Sequence, residues 1–347
     1  MLIIPGEHDT VSGDDSARVY TIASPQISRV TQYRVLLRLC EIGRILAAEK
    51  PDLVENGDPY QVGFAVARQT AALGIPSVAF YHSHFAESEV RPLERLLGPT
   101  VAELCVSLAA RYSRRLYRRY SRTLVASPAI ASVLEGWGID NTALVDLGVD
   151  PQRFYPGDPA TARASLGIAE NARVLLSVGR LAAEKNTRLL CEAFRRLRGY
   201  HLVITGEGLQ RDSVERLRDE TGAVTWLPFL DSHDELLRLF HAADLFVHPG
   251  VQETFGLVTL EAQACGLPVV GILGTAMDGI VRHTQDFWAQ TATPGALVNA
   301  IESAFSHDLP ALGKSARTAV VAEFSWSSVM ARLFDVYREV IHEYRRL

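Results

Sequence analysis

Two glutamates and the residues between them are the part of this chain best suited to chemistry. Glu253 and Glu261 stand eight positions apart within PGVQETFGLVTLEAQACGLPVV, residues 249–270. Leu245–His248 before them is a short apolar run, broken by Pro249-Gly250 as a buried strand is broken by a turn. Leu257, Leu260 and Ala264 then recur at helical spacing, and Gly266 stops that helix. Thr254, Phe255 and Gly256 therefore fall at a helix start, where unpaired N–H groups and the positive end of the helix dipole favour an anion. Gly256, without a Cβ, lets a phosphate come close to its backbone. A carboxylate accepts hydrogen bonds from vicinal sugar hydroxyls. The pattern predicts a ligand with a diphosphate in the middle and hydroxyls at both ends, one glutamate per sugar.

A cationic counterpart lies upstream. Val174–Val178 reads as a strand that ends in Gly179-Arg180, and Leu-Ala-Ala-Glu-Lys185-Asn186 leads on into a helix. The chain holds only three lysines, Lys50, Lys185 and Lys314, against 32 arginines. A generic solvated cation here would be arginine, so Lys185 reads as a compact charge suited to a phosphate oxygen. Arg180 adds a planar fork for two oxygens. The competing reading is that both cations pair with Glu184 or with solvent. Gly206-Glu207-Gly208, after the next strand, fits a loop lying close to a ligand.

These residues need strands to hold them, and the order of elements supplies them. Alternating β and α segments argue for parallel sheets with helices on both faces. Strands are predicted at Met1–Pro5, Arg18–Ala23, Leu53–Glu55, Ser77–Tyr81, Thr123–Ala126 and Ala143–Asp146, with a polar loop around Gly13-Asp14-Asp15 and a helix over Tyr33–Lys50. PQRFYPGDP, residues 151–159, has turn residues and no periodicity, which places a domain junction there. A second series follows at Val174–Val178, His201–Thr205, Val224–Leu227, Leu245–His248 and Val269–Ile272. The last helix runs from the N-cap Ser325 to about Arg345. The fold class is α/β, with domains at 1–150 and 151–324 and a C-terminal helix over 325–347. Open α/β sheets bind ligands at the carboxyl ends of their strands, so the site is expected in the cleft between the two domains.

Composition excludes several classes. With 48% hydrophobic and 22% charged residues the chain is globular. A net charge of −5 gives no reason to expect nucleic acid as a partner. No apolar run reaches membrane-spanning length, and Met1 does not open a leader-like pattern, so the expected location is the cytoplasm. The four cysteines (Cys40, Cys105, Cys191, Cys265) lie scattered in apolar helical stretches without metal-ligand spacing, and read as reduced core residues.

GRLAAEKN at 179–186 together with the 249–270 stretch resembles the retaining, nucleotide-sugar-dependent glycosyltransferases of the GT-B fold, whose E-x7-E signature matches Glu253 and Glu261. The resemblance extends over nearly the whole chain, through Leu147-Gly148-Val149-Asp150, the glycine loop and the C-terminal helix. It implies two Rossmann-like domains facing across a cleft, the first on the acceptor side and the second on the donor side, with the last helix crossing back. It implies that Gly179, Arg180, Lys185, Gly206, Thr254, Phe255 and Gly256 border the donor, with Arg180 and Lys185 on the diphosphate. Glu253 would touch the transferred hexose, of mannose or glucose type, Glu261 the ribose, and Leu227-Pro228 the base. Tyr81-His82-Ser83 resembles the family's strand-end histidine, with His84 as a competitor for that place. The leaving diphosphate would take the acceptor's proton on the face from which it departs, with His82, Glu253, Arg180 and Lys185 as the catalytic set. No Asp-x-Asp stands before a strand end, so neither a metal nor another cofactor is expected.

The same resemblance implies an N-terminal strand and glycine-rich turn before a segment like Met1–Pro5, and these are missing from the sequence as it stands. The expected first domain is therefore incomplete, with neighbouring strands left with unpaired backbone groups. The principal alternative is accordingly a catalytically impaired nucleotide-sugar-binding protein. A sugar-nucleotide epimerase would need an acid/base pair, and a phosphorylase-like enzyme a cofactor lysine with few candidates here. Finally, Arg111, Arg114, Arg115, Arg118, Arg119 and Arg122 line up at helical spacing, with Tyr112, Leu116 and Tyr120 beside them. A basic amphipathic helix suits an anionic membrane surface, which admits a lipid or a saccharide acceptor at the inner face of a membrane; a plain solvated helix is the other reading.

Overall fold

The computed structural model describes residues 1–14, 17–26, 33–82, 98–253 and 255–346. Asp15, Ser83, His84 and Thr254 lie outside these residues. The strands, in chain order, are β1 (Leu2–Gly6), β2 (Thr10–Ser12), β3 (Val19–Ala23), β4 (Val54–Asn56), β5 (Ser77–Phe80), β6 (Arg122–Val125), β7 (Thr142–Leu144), β8 (Arg173–Val178), β9 (Tyr200–Thr205), β10 (Val224–Leu227), β11 (Leu245–His248) and β12 (Val269–Gly271).

The second half of the chain builds one five-stranded parallel sheet, ordered β10-β9-β8-β11-β12. Its strands are near-continuous apolar runs because helices cover both faces, so residues pointing either way are buried. Val174 to Leu176, Leu202 to Ile204 and Leu245 to Val247 are all inaccessible or nearly so. The order also fixes where a ligand can enter. From β8 the chain moves outward to β9, and from β11 outward the other way to β12, so the connections diverge at the carboxyl ends of β8 and β11.

The first half holds two sheets. β4-β5-β6-β7 is parallel throughout, and β1-β3-β2 is a separate three-stranded sheet with β1 parallel and β2 antiparallel to β3. A cavity of about 1120 Å³ is lined by Leu2, Ile3 and Pro5 of β1, by Val54 of β4, and by Leu46 and Val66 from the helices Leu39–Glu49 and Gln61–Leu73. Among the described residues, neither β1 nor β4 has a strand paired on its other edge.

Three expectations are corrected here. The helix expected over Tyr33–Lys50 begins only at Leu39, because Val35 N–H donates to the Pro25 carbonyl (3.0 Å) and Arg34 bridges Gln26, committing this stretch to an extended conformation. Part of the segment read as a polar loop is strand β2, whose three exposed residues are too few to show a period. Of the cysteines, Cys191 and Cys265 are buried, but Cys40 is exposed and Cys105 half-buried.

The chain passes between its two halves twice, and the crossings are bonded to each other. Val149 N–H donates to the Phe324 carbonyl (2.8 Å), and Trp326 N–H to the Val149 carbonyl (3.2 Å). The last helix, Trp326–Tyr344, is capped by the Ser325 side chain. It then meets the first half through Arg332–Asp146 (3.0 Å), Glu343–Arg122 (2.8 Å) and a Tyr337–Glu55 hydrogen bond. Its Val340 belongs to the same buried cluster as Val78, Phe80 and Leu124 of the β4–β7 sheet.

Candidate active site

The two predicted halves of the donor site meet where β8 and β11 diverge. Lys185, in the loop after β8, forms a salt bridge to the Glu253 carboxylate in the loop after β11. Asn186 adopts a left-handed backbone (φ 52°) and its side-chain amide donates to the Pro249 carbonyl (2.8 Å), so the two loops are stitched together beside the pair. The Glu253 side chain is only 11% exposed and that of Lys185 28%. Burial by itself would push the Glu253 carboxyl up; His248 and Lys185 outweigh it and hold the group at about 2. Arg180 is two-thirds exposed and pairs with Glu184 at 3.1 Å. The competing reading thus describes Arg180, whereas the partner of Lys185 is a carboxylate of the site itself.

Glu261 sits in the helix Leu257–Ala264 and is only partly accessible. Burial raises its carboxyl to about 7, with Arg153 opposing the rise. Gly256 caps that helix with φ at 94°, and a Cβ there would stand 2.4 Å from the Met277 methyl. The glycine is therefore required by its left-handed backbone and by Met277, independently of any phosphate. Phe255 is buried with its ring edge-on to Phe324, which leaves only its backbone to face a ligand. A Cβ on Gly206 would fall 1.9 Å from the Gly179 carbonyl oxygen, so that glycine lets the loops after β8 and β9 nest. Gly206 N–H also donates to the Leu227 carbonyl at the end of β10 (3.1 Å).

His82 follows β5 in the other half of the chain, exposed at the strand end and stacked on Phe80 with ring centroids 4.3 Å apart. Desolvation lowers its pKa against a smaller opposing pull from Glu55. The structure thus gathers Lys185 and Glu253 at one point, sets Arg180 beside it, keeps Glu261 in the helix that follows, and carries His82 on a different sheet. His248 was not singled out by sequence reasoning. It closes β11 with its ring buried, and the signal available was a polar residue ending an apolar strand just before Pro-Gly.

The basic segment is also corrected. The helix Pro99–Tyr117 ends before Arg118, and Arg122 opens β6 and pairs with Glu343. Leu116 and Tyr120 are buried, and the Tyr112 and Tyr120 hydroxyls donate to the Pro59 and Gly63 carbonyls, so these side chains face the neighbouring helix.

Comparison with known proteins bears on the family and the fold. Residues 5–153 match the family profile Glycosyltransferase Family 4, and residues 158–318 match Glycosyl transferases group 1. The chain belongs to the group 1 glycosyltransferases. D-inositol 3-phosphate glycosyltransferases of Mycobacterium tuberculosis and Mycobacterium bovis are 37% identical over 215 residues, covering 58% of this chain and 44% of theirs. The chain thus matches less than half the length of these curated relatives. Among solved structures, sucrose-phosphate synthase from Thermosynechococcus elongatus superposes with a TM-score of 0.71 at 24% identity, over 96% of this chain and 86% of that one. Anabaena Alr3699/HepE in complex with UDP-glucose superposes with a TM-score of 0.68 at 18% identity, over 95% of this chain and 86% of that one. These likenesses define the fold of this group 1 glycosyltransferase as GT-B, two Rossmann-like halves. Among the described residues no helix is long and apolar enough to cross a membrane.

Proposed function

We propose that the chain transfers a hexose from a nucleotide diphosphate sugar to a saccharide or lipid acceptor with retention of configuration. The observation that carries this reading is the Lys185–Glu253 pair, placed where the loops after β8 and β11 diverge. In this reading the diphosphate takes Lys185 and Arg180 as its cations, so charge is supplied without a metal. Glu253 accepts from a hydroxyl of the hexose, Glu261 from the ribose hydroxyls, and Leu227 borders the base. The bond from the anomeric carbon to the β-phosphate oxygen breaks, and a bond to the acceptor oxygen forms on the same face. The departing phosphate oxygen takes the acceptor's proton. His82 lines the acceptor side. The UDP and UDP-glucose held by Alr3699/HepE, a neighbour in fold, support a nucleotide-sugar donor.

Residues 1–150 form the acceptor side, 151–324 the donor side, and 325–347 the helix that returns to the first. The acceptor side includes a surface suited to an anionic membrane. On the helix Pro99–Tyr117, the exposed Val101, Leu104 and Leu108 and the cations Arg111 and Arg115 recur at i, i+3, i+7, i+10 and i+14, which is one face. Such a face supports a peripheral association with the inner surface of a membrane.

A thermal-shift and turnover screen with UDP-, GDP- and ADP-sugars tests the reading. One base series is expected to raise the melting temperature, and its sugar to be released or transferred. A chain that no nucleotide stabilises would sink it.

A further inference from the structure

We propose that His248 is a positioning residue that takes over the Glu253 carboxylate when a bound diphosphate draws Lys185 away. The inference rests on the donor-site reading above. His248 is the last residue of β11, 4% exposed, with its ring stacked on Phe246 two residues earlier. Its Nε2 stands 3.4 Å from Glu253 Oε1, the same oxygen that Lys185 engages. That nitrogen is sealed from solvent; it is near enough to Glu253 to favour the ionised carboxylate, yet it meets hydrogen-bond geometry with no group. The loop closes over it: a Cβ on Gly250 would come within 3.3 Å of Nε2.

A buried ring nitrogen with no partner is costly, and such atoms are rare in folded proteins. Here the orphan has an evident second use. The Glu253 oxygen is already occupied by Lys185, which keeps the imidazole at the outer limit of hydrogen-bond range. Binding a diphosphate requires the Lys185 ammonium to turn to phosphate. Glu253 is then a nearly buried carboxylate without a cation, and such a group takes up a proton or moves unless another donor meets it. Around it, Arg180 and Glu184 are paired with each other. His248 Nε2 is the ring nitrogen beside the freed oxygen, and a small turn of the imidazole or the carboxylate brings its N–H into line and closes the bond. Glu253 stays ionised and fixed, with its other oxygen free for the hexose.

The test uses the full chain with UDP and UDP-glucose as probes. His248→Phe keeps a flat ring but no donor, and His248→Gln keeps a donating amide. UDP affinity by calorimetry is expected within threefold of the parent for both. Turnover of UDP-glucose should fall at least tenfold in kcat for His248→Phe, and stay within threefold for His248→Gln. In protein labelled with 15N-histidine, the resonance lost in His248→Gln should shift in the parent on adding UDP. UDP binding that leaves this resonance unmoved, or a parental kcat in His248→Phe, overturns the role of His248 while sparing the donor site. A parent chain that binds none of UDP, GDP or ADP overturns the donor site and this inference together.

Discussion

Two cationic regions of this molecule handle their charge in opposite ways. At the crevice between β8 and β11, each cation already has a carboxylate, Lys185 with Glu253 and Arg180 with Glu184. On the helix Pro99–Tyr117 and the turn after it, Arg111, Arg114, Arg115, Arg118 and Arg119 line an open concave surface, with no carboxylate partner among the described residues. Exposure accounts for the difference at Lys185, whereas Arg180 is itself two-thirds exposed and its link to Glu184 is a surface pair. A charge withdrawn from water must be compensated inside the protein, whereas an exposed guanidinium is solvated at little cost. A ligand for the crevice must therefore displace an internal partner, which makes binding selective and coupled to side-chain motion. A ligand for the arginine surface displaces only water and counterions, so binding there is salt-sensitive and broad in specificity.

The largest test removes a partner from the paired region. Lys185→Ala deletes a charged phosphate contact, expected to cost about 1.5–3 kcal/mol, or roughly ten- to a hundredfold in nucleotide affinity by calorimetry. It also strips Glu253 of its cation. The folded-state carboxyl at about 2, below its ordinary 4.5, contributes stability above pH 4.5 that is lost as pH falls toward 2. The variant should therefore melt lower than the parent at pH 6, with the gap narrowing by pH 3. Parental affinity in Lys185→Ala would remove the crevice from consideration as the phosphate site.

Glu261 offers a test through pH. Its carboxyl is raised to about 7 from 4.5, so stability is fully present below pH 4.5 and declines as pH rises through 7. Glu261→Gln should accordingly raise the melting temperature more at pH 8 than at pH 5. If the ionised form accepts from ribose, UDP affinity should grow up to about tenfold between pH 6 and 8 in the parent. The same scan of Glu261→Gln is expected to be weaker and flat; an equal rise in both would detach Glu261 from the nucleotide.

The unpaired region should respond least per residue. Near an anionic surface each arginine is worth about 1 kcal/mol, roughly fivefold. Arg115→Gln and Arg118→Gln should each lower binding to vesicles containing phosphatidylserine by that factor at low salt, and added salt should erase the difference. Vesicles that never bind the parent would leave these arginines as an ordinary solvated surface.

Much of this was legible in the sequence because parallel strands and strand-end loops write themselves in local patterns. The strands of the five-stranded sheet are near-continuous apolar runs, and Lys185 stood out by the scarcity of lysine. What escaped depends on contacts distant in sequence. The partner of Lys185 is 68 positions away, and His248 gains meaning only from the oxygen it faces. Met277 supplies a reason for Gly256 that no local spacing contains. The tyrosines beside the arginine stripe carry the composition of a membrane face, but the Pro59 and Gly63 carbonyls that hold their hydroxyls turn them inward.

The two chain crossings at Val149 and Ser325 also have a mechanical consequence. Two separate linkers would let the halves swing and twist independently, like bodies on a pair of cords. Here the cords are laced at a single point by the bonds between Val149, Phe324 and Trp326, so the halves share one pivot at that knot. A protease cut within 151–157 would sever one cord only. The nicked protein should still sediment as one particle, its halves held by the uncut crossing and the helix that follows it.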